Sequence, residues 1–311
     1  VQVHDHSERP ISPELLGRIE VLRGRDCHVF DLPGGLTNRN YKVVTAEATY
    51  VVRVSPPPGR GLSIDREHEY RNSVIAASTA VGAPVIDWLP DDGAMVLGYI
   101  DGVTFTDASL AAPGNVARVA AACRRLHDGP RFVNAFDMFE TQQGYLRRVL
   151  EHGYRLPGDY LDHGERFERI RGALAVRAEP VVACHNDLLA GNLVDDGERV
   201  RLIDYEYAGN NDACFELGNI WSECHLSLDG LEELVTAYYG RPRPSRLARA
   251  RLQGLMSQYG WTLWASIQAA TSHIDFDYWS WGMEKYERAV AAFRGPDLEA
   301  LIEQVQKEDR T

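Results

Sequence analysis

The chain has 311 residues, with 33 Lys and Arg against 45 Asp and Glu, a formal charge of −12 and a hydrophobic fraction of 44%. That is the make-up of an ordinary globular chain, long enough for one large or two modest domains. The acidic balance argues against a nucleic-acid partner, whose phosphates need clustered basic residues, and suits a small cationic ligand better.

No apolar run approaches the roughly 18 residues of a membrane span. The opening VQVHDHSERPISPELL has polar and acidic residues where a signal peptide places its apolar core. Cys27, Cys123, Cys184, Cys214 and Cys224 are odd in number, scattered and without CxxC spacing. Reduced, mostly buried thiols in a cytoplasmic protein are expected, with no disulfide frame or zinc site. Lys42, Lys285 and Lys307 are the only lysines, so a site that needs a cation draws mainly on arginine.

In chain order, Ser12-Pro13-Glu14 reads as a helix cap with Pro at the first helical position, opening a short helix to about Leu22. HVFDL, RNYKVV and TYVVRV, from Cys27 to Ser55, read as three strands. Pro56-Pro57-Pro58-Gly59 breaks the sheet. Residues from Asp65 to about Val81 are helix-compatible, and PVIDWL and AMVLGYI read as two more strands. Beyond Asp101-Gly102 the chain is mostly helical, over Val116–Leu126, Phe139–Glu151, Phe167–Val176 and long stretches after Leu228. One β island interrupts it: VVACHND, then NLVDDGERVRLIDYEY, where Asp196-Gly197 signals a tight hairpin. The pattern predicts an α+β chain of two lobes, a β-rich one over residues 1–100 and a helical one over residues 101–311. Their junction near residues 97–102 is a favoured place for a ligand cleft.

The strongest local signal is His185-Asn186-Asp187-Leu188-Leu189-Ala190-Gly191-Asn192, which fits the kinase catalytic-loop pattern H-x-D-L-x-x-x-N. Asp187 is placed to orient an attacking hydroxyl, and Asn192 to turn back onto Mg²⁺. Asp204, twelve residues on, supplies the second oxygen ligand that magnesium prefers. Upstream, Gly34-Gly35-Leu36-Thr37-Asn38 lies between two strands, where a glycine-rich turn can bring backbone N–H groups onto phosphates. The strand that should carry a phosphate-holding cation has no lysine and offers Arg53. Lys42 is a competing cation, read as solvent-facing, and Glu67 and Glu69 are the available helix partners for Arg53. Trp261, Trp264, Trp279 and Trp281 fall within 21 residues. Such a cluster is either core packing or a set of aromatic faces for an ammonium group. Glu206, Asp212 and His127 are given supporting roles at most.

Together these stretches resemble the choline/ethanolamine kinase family, within the wider aminoglycoside-phosphotransferase and protein-kinase-like fold. The likeness runs from about Leu32 to Phe293 through PGGLTNRNYKV, VVRV, IDREHEYRN, CHNDLLAGN, LIDYEYAGNNDACFELGN and WTLWASIQAATSHIDFDYW. The resemblance implies that Arg in VVRV is the usual residue and that the helix acid is Glu69. It also implies a substrate pocket of Glu223, the paired Trp261 and Trp264, and Trp281. A further family aromatic after the acid is missing, since His225 and Leu226 follow Cys224. The expected activity is ATP- and Mg²⁺-dependent phosphorylation of choline or a related amino alcohol such as ethanolamine. Gly34, Gly35, Thr37, Asn38, Arg53 and Glu69 would hold the nucleotide, Asn192 and Asp204 the metal. Asp187 would serve both catalysis and substrate binding. The alternatives are an aminoglycoside-type antibiotic phosphotransferase and a nucleotide-binding pseudokinase. The oligomeric state stays open, a homodimer being one option.

Overall fold

The computed structural model describes residues 3–7, 10–32, 35–56 and 64–309. Gly34 therefore lies outside the described residues. Among them, the first hundred residues build a sheet from β1 (Val3–Asp5), β2 (Cys27–Leu32), β3 (Arg39–Val44), β4 (Thr49–Val54), β5 (Val85–Leu89) and β6 (Ala94–Gly98), in the order β1-β2-β3-β4-β6-β5. All neighbours are antiparallel except β1 on β2.

Period-two alternation sorts this sheet into two faces. Tyr41, Val43, Tyr50, Val52, Ala94 and Val96 pack with Leu15, Leu16, Ile19 and Leu22 into one core. Arg53, between Val52 and Val54, points to the opposite face, beside its cross-strand partners Asn40 and Met95. The helix expected to reach Leu22 is shorter: α1 (Pro13–Arg18) stops where Ile19 turns extended, and Glu20–Leu22 continues as a 3₁₀ turn. Ile19 and Leu22 are both fully buried in that core. α2 (Arg66–Ser78) starts at Asp65, whose carboxylate caps the Glu67 and His68 N–H groups, and it carries Glu69 inward.

The remainder is mostly helical, with α3 (Asp107–Leu110), α4 (Asn115–His127), α5 (Met138–His152), α6 (Gly164–Val176), α7 (Ala213–Glu223), α8 (Leu228–Tyr239), α9 (Pro244–Thr271), α10 (Tyr278–Arg294) and α11 (Leu298–Val305). Two hydrophobic cores lie here. One surrounds α4, α7 and α8, and the other surrounds α5, α6, α9, α10 and α11. The expected hairpin is β9 (Leu193–Asp195) against β10 (Val200–Leu202), turning at Gly197, and β7 (Val103–Thr104) adds to β9. β8 (Val181–Cys184) pairs instead with β11 (Gly209–Asp212), whose GNND sequence carries no strand signal.

α7 and α9 approach with almost no side chain between them. A Cβ at Gly218 would collide with the Ala250 carbonyl and lie 2.6 Å from the Gly254 nitrogen, and one at Gly254 would lie 2.6 Å from the Gly218 carbonyl oxygen. Glycine at both positions thus sets the spacing of the two helices that carry Glu223 and the Trp261–Trp264 pair. Among the described residues, no helix is long and apolar enough to cross a membrane.

Candidate active site

The loop leaving β8 is fixed by buried groups before any ligand is considered. The Glu216 carboxylate, one turn into α7, accepts from the backbone N–H groups of His185 and Asn186, both at 2.7 Å. Three residues on, on the same helix face, Asn219 Oδ1 accepts from the Leu188 N–H at 2.9 Å. Burial alone would raise the Glu216 carboxyl, but the His127 contact and these N–H groups hold it below its ordinary range. His185 is pushed down by burial and is neutral. Its Nε2 donates to the Ile203 carbonyl at 2.8 Å, while Nδ1 accepts from the Asp187 N–H at 3.3 Å. Asn186 adopts φ 68° and Asp204 φ 73°, the left-handed region that most residues avoid. The Asn186 amide compensates by donating to the Tyr207 carbonyl at 3.0 Å.

This frame brings Asp187, Asn192 and Asp204 to one place. Asn192 Nδ2 donates to the Asp187 carbonyl at 2.8 Å, which leaves its Oδ1 as the oxygen free to accept. Arg53 Nη2 donates to Asp204 Oδ1 at 2.5 Å, and Arg53 Nε lies 2.9 Å from Glu69 Oε1. Of the two helix acids, Glu69 therefore pairs with Arg53, whereas Glu67 is exposed beside Arg71. Lys42 shares the sheet face of Arg53 and is half-buried, its ammonium 4.1 Å from the Tyr99 ring centroid.

Burial raises the Asp187 carboxyl well above the usual range, and the negative charges of Glu223, Asp204 and Glu206 add to this against Lys285. Burial would raise the Asp204 carboxyl, but the guanidiniums of Arg53 and Arg66 outweigh it and hold the group low. A small cavity beside Arg53 and Asp204 is walled by Ala83, Met95, Leu97 and Ile203.

The glycine-rich turn meets this cluster through Glu206. Thr37 Oγ1 and Asn38 Nδ2 donate to its two carboxylate oxygens at 2.8 and 2.9 Å. Arg53 and Arg66 reach Glu206 Oε2 at 3.3 and 3.2 Å. A Cβ at Gly35 would lie 2.6 Å from the Asn38 carbonyl oxygen, so the turn admits no side chain there. Leu36 extends the contact by accepting at its carbonyl from Tyr278 Oη at 2.9 Å.

Glu223 and Lys285, whose charges act on Asp187, adjoin a group of aromatic residues. Trp264 packs edge-on against Trp281 and Trp261, with centroids 5.4 and 6.5 Å apart, and its Nε1 donates to Tyr207 Oη at 2.7 Å. Glu223 Oε2 accepts from Lys285 Nζ at 2.5 Å, and that ammonium lies 3.9 Å from the Trp281 ring centroid. Trp279 lies outside this group, beneath Arg155.

Residues 30–255 match the phosphotransferase enzyme family, APH. A choline/ethanolamine kinase family protein from Mesorhizobium loti, known from its crystal structure, is 31% identical and superposes with a TM-score of 0.83 over 94% of this chain and 97% of that one. The chain belongs to the choline/ethanolamine kinase family. Within that family, a probable ethanolamine kinase of Arabidopsis thaliana is 26% identical over 291 residues, covering 81% of this chain and 76% of that protein. The protein LicA of Haemophilus influenzae is 26% identical over 257 residues, covering 77% and 73%.

Set on this family's two-lobed kinase-like fold, several residues acquire more weight than the sequence reading assigned them. Glu206, two residues past Asp204, is the acceptor that ties the glycine-rich turn and both arginines together. Glu216 and Asn219 sit at i and i+3 in FELGN, a spacing that could have marked them as one helix face. Lys285, four residues after Trp281, could have been read the same way. Asp212 is structural: it caps α7 by accepting from the Cys214 N–H and pairs with Arg249. His127 holds Glu216 and accepts or donates at Tyr238 Oη.

Proposed function

We propose that this protein transfers the γ-phosphoryl group of ATP to the hydroxyl of an amino alcohol of the ethanolamine–choline type. The observation that supports the reading is Asp187, on a loop fixed by Glu216 and Asn219, bonded through its carbonyl to Asn192 and close enough to Asp204 and Glu223 for both to raise its carboxyl. The names of the relatives point the same way: an ethanolamine kinase and a choline/ethanolamine kinase family member stand among them.

In this reading the adenine lies against Met95, Leu97, Ala83 and Ile203, and Arg53, positioned by Glu69, holds the phosphates with the Gly35–Asn38 turn. Asn192 Oδ1 and the Asp204 carboxylate are hard oxygen donors of the kind magnesium takes. They fit the ion, and the cluster offers it a surplus of carboxylates over guanidiniums. Mg²⁺ there supplies charge neutralisation for the triphosphate. Asp187 accepts the hydrogen bond of the acceptor hydroxyl and takes its proton as the oxygen forms its bond to the γ-phosphorus. The bond from that phosphorus to the bridging oxygen breaks, and ADP leaves with the electron pair. Most of the acceleration comes from holding the two reactants in line, since no covalent intermediate on the protein is needed.

Release of ADP in the presence of Mg²⁺ and a panel of ethanolamine, its methylated derivatives, choline and kanamycin tests the proposal. It predicts turnover with at least one amino alcohol and none with kanamycin. Turnover with kanamycin alone contradicts it.

A further inference from the structure

The Glu223–tryptophan cluster proposed to take the acceptor contains a cation of its own. α10 puts Lys285 one turn beyond Trp281, and its ammonium touches both the Trp281 face and Glu223 Oε2. The Lys285 and Glu223 side chains are only 4% and 5% exposed. Glu223 Oε1 is buried as well and makes no hydrogen bond to any described residue.

An aromatic face beside a carboxylate is the seat that an alkylammonium head group seeks. Here the chain fills that seat with its own lysine. A quaternary ammonium has no N–H to donate and depends on the aromatic face, so it must displace Lys285 and break a buried ion pair to reach Trp281. A primary ammonium has three N–H donors. It can place one on Glu223 Oε1 while Lys285 stays on Oε2, with the carboxylate bridging the two cations. A buried acceptor without a partner rejects a ligand that cannot donate to it.

We infer that Lys285 determines specificity in this pocket, favouring alcohols that carry a primary amine over their quaternary counterparts, with Glu223 Oε1 receiving the amine. The inference rests on the amino-alcohol reading above and adds which head group the pocket takes.

The experiment is a set of kcat and KM values for ethanolamine, N-methylethanolamine, N,N-dimethylethanolamine and choline, with wild-type protein and with Lys285→Met. Wild-type kcat/KM should fall along the series, by about tenfold or more from first to last. Lys285→Met should shift the choline-to-ethanolamine ratio toward choline by a similar factor, mainly through KM. Should Lys285→Met fail to fold with Glu223 left unpaired, Lys285→Gln keeps a donor for Oε2 without the charge and should shift the ratio the same way. A wild-type preference for choline, or a ratio unmoved by a folded Lys285 variant, overturns the inference while leaving the amino-alcohol reading standing. Absence of turnover with all four alcohols removes that reading, and the inference with it.

Discussion

The candidate site holds two buried cations, Arg53 and Lys285, and they are held in different ways. Arg53 sits among three carboxylates, Glu69, Asp204 and Glu206, with Arg66 bridging Glu69 and Glu206. Lys285 has one carboxylate, Glu223, and the face of Trp281. The planar fork of a guanidinium can serve several oxygens at once, whereas an ammonium on a flexible stem is a single point charge. On the Arg53 side, elements far apart in the chain therefore converge in a network: β4, α2, the Thr37–Asn38 turn and the residues after β10. The Lys285 side is a local pair between α7 and α10 that one side chain could vacate. The difference teaches that the first half is tied down by many partners and the second by one, which in the proposed reaction suits a fixed nucleotide site and a selective acceptor site.

The largest effect is expected at the joint between the halves. Asp187→Ala should lower kcat by about a thousandfold. Because burial and three neighbouring carboxylates make an ionised Asp187 costly, the variant should melt at the same temperature as the wild type or higher. Calorimetry alongside the ADP-release assay checks both. A folded variant that keeps near wild-type turnover would remove Asp187 from the transfer step.

Next in size is the contrast itself. Arg53→Ala strands several buried carboxylates and Lys285→Met strands one. Loss of one partner of a buried pair costs about 3–5 kcal/mol. Arg53→Ala should reach or exceed the top of that range and raise the KM for ATP, while Lys285→Met should lie at its lower end and leave that KM unchanged. Urea unfolding and ATP titration of both variants compare them directly. Equal destabilisation would erase the distinction between network and pair.

Glu216→Gln should act on both halves through the loop. It retains one acceptor for two backbone N–H groups and loses the charge facing His127, a cost of about 1–3 kcal/mol. The expected signature is a lower kcat with little change in the KM for either substrate.

The smallest effect lies outside both halves, at His163, which is buried against Phe293. Burial pushes its imidazole below the ordinary value of 6.5, despite Asp159 nearby. The unfolded chain thus binds a proton that the folded chain refuses, and folded-state stability drops as the pH falls below that value. Relative to His163→Phe, the wild type should lose at most about 1.4 kcal/mol per pH unit there. A pH-independent difference between the two proteins contradicts this.

The sequence announced the Arg53 half more clearly than the Lys285 half, for physical reasons. Asp187, Asn192 and Asp204 stand at fixed spacings because one loop and one hairpin place them, and such local constraints are visible in a string of letters. Strands β2 to β6 were legible from their β-rich runs, as in TYVVRV, where the one charged residue interrupts apolar ones, but the three-residue β1 was not. Glu206 was given no more than a supporting role because its partners, Thr37, Asn38, Arg53 and Arg66, lie about 140 to 170 residues earlier. The strand Gly209–Asp212 was missed because GNND pairs through its backbone and through Asn210, whose amide answers Phe132 and Asn134. The meeting of Lys285 with Glu223 depends on how α7 and α10 pack, which no spacing along the chain encodes.

The central claim is that Asp187 directs phosphoryl transfer to an amino-alcohol hydroxyl. Phosphorus NMR of the protein incubated with ATP, Mg²⁺ and ethanolamine tests it most directly, because it identifies the product and not only the nucleotide consumed. The account predicts a phosphomonoester of ethanolamine growing in step with ADP, and neither in the Asp187→Ala variant. ADP accompanied only by inorganic phosphate would contradict it.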